Sequence, residues 1–177
     1  GAIDGCIQLR NEHDLAPEMI DRVDIKVCSI VLELTAKANP QTGLEGKFSF
    51  EYTVACALLD GRVGIASFHD ERRFRADMAM LLPKIAVTAD SSIPTAFNRM
   101  RIAVEVSLRD GTVRRATCER PPGFWGAPLD VDRHREKVRD CLATRLDAAR
   151  AVRVVQLLES LEELPAEGVR ELSLLLE

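Results

Sequence analysis

The sequence predicts an α+β fold: an antiparallel sheet with helices packed on it, followed by C-terminal helices. Three observations predict it. Ile102, Val104, Val106 and Leu108 alternate with Glu105, Ser107 and Arg109, and Asp110-Gly111 then supplies a two-residue turn, so residues 112–118 should return as an antiparallel partner. The run Val54 to Leu59 is apolar throughout and stops at Asp60-Gly61, the pattern of a helix buried on all sides. Beyond residue 130 the apolar spacing is helical to the end of the chain.

The remaining elements follow in order. Ile3, Ile7 and Leu9 belong to a helix of about three turns, ended by Asp14-Leu15-Ala16-Pro17. Val23, Ile25 and Val27 alternate with Asp24 and Lys26, giving a strand with one buried face, and residues 35–46 read as a connecting loop. After the buried helix, Phe74, Met78, Leu81 and Leu82 predict one amphipathic helix over residues 70–82, closed by Pro83. Ile85 and Val87 form a short strand. The stretch Pro121-Pro122-Gly123-Phe124-Trp125-Gly126-Ala127-Pro128 breaks all periodicity and marks an internal boundary, with an α+β part over 1–122 and a helical part over 123–177. Helices are expected over 130–146, 148–160 and 166–176, burying Val152, Val155, Leu158 and Leu161.

Composition narrows the function classes. A net charge of -4 and a sequence pI near 5.5 argue against a duplex-binding surface, and the paired arginines Arg72-Arg73 and Arg114-Arg115 read as solvated. The five cysteines are widely spaced with no Cys-x-x-Cys pair, and His13, His69 and His134 share no ligand-type spacing, so neither a disulfide framework nor a metal site is indicated. This usage fits a reducing cytoplasm. No apolar run reaches the length of a membrane span. The chain begins without Met, inside what reads as a helix, and is expected to be a piece of a longer protein.

Chemistry is expected around the first turn of the buried helix, where Lys47, Ser49 and Tyr52 cluster. Backbone N–H groups left unpaired at a helix N-terminus favour carboxylates, and a tyrosine held there can donate a proton. The stretch Asn39-Pro40-Gln41-Thr42-Gly43-Leu44-Glu45-Gly46-Lys47, continued by Phe48-Ser49-Phe50-Glu51-Tyr52-Thr53-Val54-Ala55, closely resembles the signature of the MmgE/PrpD family, the 2-methylcitrate dehydratase-like proteins. The likeness runs on through Gly61-Arg62-Val63-Gly64, Phe68-His69-Asp70, the hairpin at Asp110-Gly111, and Pro128-Leu129-Asp130 leading to Lys137-Val138-Arg139. It covers most of the chain.

The resemblance implies the C-terminal, lid-like portion of a cofactor-independent lyase or isomerase. Such an enzyme acts on a small di- or tricarboxylate by dehydration, decarboxylation or epimerisation. Phe48-Ser49-Phe50 and Phe124-Trp125-Gly126 resemble the broader MmgE-type branch rather than the propionate-pathway dehydratases. The implied partners are an N-terminal helical domain of the same chain and a second copy in a homodimer. The remaining catalytic groups of the family fall outside this sequence, so the piece alone is expected to be inactive.

Within the resemblance Tyr52 alone transfers, as a proton-transfer or substrate-orienting group; Lys47 and Ser49 flank the same turn and are expected to bind a substrate carboxylate. Each residue also has a plainer reading. A buried tyrosine ordinarily packs its ring and bonds its hydroxyl locally. Lys47 can simply face solvent. His69, a lone histidine after a loop, is more often a helix-start or surface residue than a catalyst. Asp70-Glu71 reads as an N-cap with an acidic first turn. The rival to the enzyme reading is a non-catalytic ligand-binding or oligomerisation module with the same fold.

Overall fold

The computed structural model describes residues 1–34, 37–124 and 126–177. Thr35 and Ala36, in the expected loop, and Trp125, in the expected boundary segment, lie outside the described residues. The chain forms two compact units, Gly1–Ala127 and Pro128–Glu177.

In the first unit, helix α1 (Ala2–His13) buries the stripe Ala2, Gly5, Cys6 and Leu9, and Asp14 ends it in the left-handed conformation. Strand β1 (Ile20–Val27) buries Ile20, Val23, Ile25 and Val27. Ile20 and Val23 lie three residues apart, which strict alternation would put on opposite faces. A register shift against the neighbouring strand between Ile20 and Arg22 turns both inward. Helix α2 (Ser29–Leu34), not anticipated from the sequence, follows directly.

Helix α3 (Phe50–Asp60) is the predicted buried helix, with Tyr52 and Val54 to Leu58 all inaccessible and Gly61 closing it in the left-handed conformation. It packs against α1 and against one edge of the sheet. The Arg10 guanidinium of α1 donates to the Leu58 carbonyl at 3.0 Å, placing a cation where the helix dipole is negative.

The single amphipathic helix expected over 70–82 is instead two short ones, α4 (Asp70–Arg73) and α5 (Ala76–Leu81), and Phe74 is 62% exposed. Arg72 and Arg73 must point inward to reach fixed partners, and so must Met78 and Leu81. At about 100° per residue these pairs fall on nearly opposite faces of one continuous helix. The break at Phe74-Arg75 lets both turn inward. Arg72 grips Asp60 through Nε at 2.8 Å and Nη2 at 3.1 Å, and Asp77 through Nη1 at 3.0 Å. The expectation that Arg72-Arg73 is solvated is therefore corrected: each is only 8% exposed.

Strands β2 (Ile85–Ala89), β3 (Ile102–Leu108) and β4 (Val113–Cys118) complete a four-stranded sheet in the order β2-β1-β3-β4. The predicted β3–β4 hairpin is present, pairing Val104 with Ala116, and β1 lies antiparallel to β3. The sheet is mixed rather than wholly antiparallel, because β2 runs parallel to β1, Val23 opposite Ile85. The helical connection between those two strands is long enough for the crossover that parallel pairing needs.

The second unit holds α6 (Val131–Leu142), α7 (Ala148–Glu159) and α8 (Ala166–Leu176). Asp130 caps α6 by accepting from Asp132 and Arg133 amides, and Asp147 caps α7 by accepting from Arg150. Its core is Val154, Leu157 and Leu172, with Leu142, Leu146, Leu164 and Leu175 packed around them. Of the four residues expected to be buried, Val155 is, while Val152, Leu158 and Leu161 are exposed. The inward stripe of α7 is displaced to Ala151, Val154, Val155 and Leu157 because this helix packs against both α6 and α8. Among the described residues no helix is long and apolar enough to cross a membrane.

Candidate functional site

The first turn of α3 is built by local rules. Ser49 takes an extended conformation (φ -118°, ψ 119°), and its hydroxyl oxygen accepts the Tyr52 amide at 3.1 Å. The same hydroxyl donates to the Glu51 carboxylate at 3.3 Å. Ser49 is thus buried and engaged as a cap, and Glu51 brings a negative charge to the helix end that an anion would otherwise occupy.

Side chains in a helix lean toward its N-terminus, so the Tyr52 ring lies back under the 3-10 turn Glu45–Phe48. The fit leaves no room between them: a Cβ on Gly46 would stand 2.3 Å from Tyr52 Cδ1 and 2.6 Å from Cε1. Tyr52 is wholly inaccessible, and its hydroxyl donates to the Ser67 carbonyl. Cys56, one turn further along α3, places its thiol beside the same hydroxyl. Burial raises the phenol above its ordinary pKa, Cys56 adds to the rise, and Arg72 and Arg73 offset part of it. At neutral pH the group is a phenol, able to donate a proton and unable to act as a phenolate base.

The structure brings the exposed Lys47 against the half-buried Phe68. The Lys47 ammonium stands 5.6 Å from the centre of the Phe68 ring, a cation–π contact, and that ring lies 6.4 Å from the Tyr52 ring at 48°. His69 is exposed beside Phe68. Asp70 does not act as the expected N-cap. It begins α4, His69 occupies the cap position, and the Asp70 carboxylate instead accepts the Gly43 amide at 2.7 Å.

Sequence reasoning missed Phe68 as the platform under Lys47, Cys56 as a neighbour of the Tyr52 hydroxyl, and the inward arginines. The spacing of Tyr52 and Cys56, four apart on a helix, was the available signal for the second of these. A cleft of about 620 Å³ lies near the opposite end of α3, lined by Pro17, Glu18, Leu59, Met80, Lys84 and Arg109 among others, and none of the predicted site residues borders it. Among the described residues no group of three or more His, Cys, Asp or Glu side chains could hold a metal ion.

The thiols yield a test of this packing. Burial pushes Cys6 up to about 12 and Cys56 up to about 11, from an ordinary 9.0. Between those limits the unfolded chain loses thiol protons that the folded chain keeps. The stabilisation is fully present below about pH 9 and is lost as pH rises toward about 11 to 12. The urea midpoint is therefore expected to fall from about pH 9 upward. In native alkylation near pH 8 read by peptide mass spectrometry, the exposed Cys141 should react first, with Cys6 and Cys56 unmodified.

A mixed four-stranded sheet, a capped core helix and a loop lying on that helix's single tyrosine define the class, an α+β domain whose candidate site is organised around a helix N-terminus. Residues 1–163 match the MmgE/PrpD C-terminal domain. The chain belongs to that family. It is 25% identical over 154 residues to the cis-aconitate decarboxylases of Mus musculus and of Homo sapiens. Those matches cover 86% of this chain, and 31% and 32% of the two relatives, so the chain spans about a third of the length of the curated relatives it matches.

Proposed function

We propose that this chain works as the C-terminal, lid-like portion of a longer cytoplasmic MmgE/PrpD-type enzyme, a cofactor-independent lyase or isomerase acting on a small di- or tricarboxylate. One observation carries the reading: the exposed Lys47 ammonium sits over the Phe68 ring, and that ring lies 6.4 Å from the ring of a buried phenol held in its protonated state. Chemistry beside a carboxylate needs a cation to hold that carboxylate and an acid to handle the proton. Lys47 supplies the first and Tyr52 the second, while Ser49 fixes the turn that carries both. The other catalytic groups come from an N-terminal helical domain of the same chain, in a homodimer. The likeness to cis-aconitate decarboxylases favours decarboxylation of a tricarboxylate over dehydration of 2-methylcitrate.

A second reading, a non-catalytic ligand-binding or oligomerisation module, draws support from the complete burial of Tyr52 and the commitment of its hydroxyl to a backbone carbonyl. Proton NMR of the full-length protein in deuterated water, with a panel of small di- and tricarboxylates, separates the two. Deuterium uptake or product from one member is the expected result. No exchange and no product with any of them would leave the binding module as the better account.

A further inference from the structure

Residues 39–46 carry no regular structure until the 3-10 turn, yet they are fastened at three points to the segment that bears Phe68 and His69. Arg73 Nε donates to the Pro40 carbonyl at 2.7 Å and its Nη2 to Asn39 Oδ1 at 2.9 Å. The Gly43 amide donates to Asp70 at 2.7 Å. Gly43 also lies so close to the other segment that a Cβ there would stand 2.5 Å from the Phe68 carbonyl oxygen and 2.6 Å from the His69 carbonyl carbon.

Within the loop, Glu45 accepts the Gln41 amide at 2.7 Å and the Gln41 side chain donates to the Asn39 carbonyl at 2.9 Å, so a pull at Asn39 and Pro40 is transmitted to the turn that follows. Lys47 leaves from one side of this clamp and the Phe68 ring from the other.

We propose that Arg73 is a positioning residue that fixes the Lys47 ammonium over the Phe68 ring by clamping residues 39–46 to α4. Its planar fork is suited to this. It bonds a backbone carbonyl and a side-chain carbonyl at once, which the single ammonium of a lysine does less well. The functional half of the inference, that Lys47 so placed meets a substrate carboxylate, rests on the proposed function; the clamp itself does not.

The test uses the full-length protein and its Arg73→Gln, Arg73→Lys, Asn39→Ala and Lys47→Ala variants. The first readout is the ring-current displacement of the Lys47 ε-methylene protons by Phe68, in NMR. It is expected in the parent, lost in Arg73→Gln, and partly kept in Arg73→Lys and Asn39→Ala. The second is steady-state kinetics on whichever carboxylate is turned over. Arg73→Gln is expected to raise KM about tenfold with kcat little changed, and the Arg73→Gln, Lys47→Ala double variant to match Lys47→Ala alone, since coupled residues are not additive.

A ring-current displacement that survives Arg73→Gln overturns the inference, as do additive KM effects. A displacement lost in Arg73→Gln while Lys47→Ala leaves KM unchanged supports the clamp and overturns the carboxylate role of Lys47. Should the Arg73 variants fail to fold, Asn39→Ala decides the matter, because it removes one bond of the clamp at an exposed side chain.

Discussion

Under the proposed function, replacing Tyr52 by phenylalanine is expected to lower kcat of the full-length protein by about a hundredfold or more, the range typical for loss of a positioned acid. The expected cost in stability is about 1 to 2 kcal/mol, because the buried Ser67 carbonyl loses its donor. The ring would stay where it is, pinned beneath Gly46 and packed near Phe68, so the substitution removes one oxygen and little else. Two measurements separate the roles of that oxygen. A urea midpoint that falls with kcat unchanged would make Tyr52 a structural residue and favour the binding module. A large fall in kcat at small cost in stability would make it the acid. The pH profile adds a check. Burial raises the phenol's pKa, so its proton is present throughout the neutral and mildly alkaline range, and no alkaline loss of rate below about pH 10 should trace to Tyr52.

Gly46→Ala should cost about 3 kcal/mol of stability. The reason is steric. The new carbon would lie 2.3 Å from one ring atom and 2.6 Å from the next, and the ring cannot swing aside, being inaccessible and held at its far end by Ser67. Either the 3-10 turn lifts, carrying Lys47 with it, or the ring is forced off its rotamer. Chemical denaturation of Gly46→Ala and of the Gly46→Ala, Tyr52→Leu pair distinguishes these causes. If the ring is the obstacle, the smaller leucine restores part of the loss. If the two losses simply add, the strain resides in the backbone of the turn.

How much of this was legible in the sequence differs by element. The α3 helix and the β3–β4 hairpin were written in local pattern, an unbroken apolar run with a Gly stop and an alternation ending in Asp110-Gly111. The parallel pairing of β2 was not, because strand direction depends on where the chain goes between Val27 and Ile85, and no short-range signal reports that path. The break between α4 and α5 was hidden for a different reason. Periodicity counts Arg72 and Arg73 as polar and therefore outward, whereas Asp60, Asp77, Pro40 and Asn39 give them partners that make burial favourable.

At the candidate site, the pattern located the helix N-terminus and its residues, and the resemblance supplied the chemistry. What the chain could not reveal in advance was the division of labour there. Ser49 turned out to be bonded within the helix, and the surface that faces Lys47 is made by Phe68, from a segment that pattern alone left without structure.

The position of β1 in the sheet has a consequence for how the chain acquires its fold. Its two neighbours are β2 and β3, so Val23 waits for Ile85 on one side and Val106 on the other, whereas β3 and β4 meet across a single tight turn. Closing the short hairpin loop costs little entropy, and recruiting the central strand costs much more. During synthesis the edge of β1 that pairs with β2 stays open until residue 89 has been added, and the edge that pairs with β3 until residue 108.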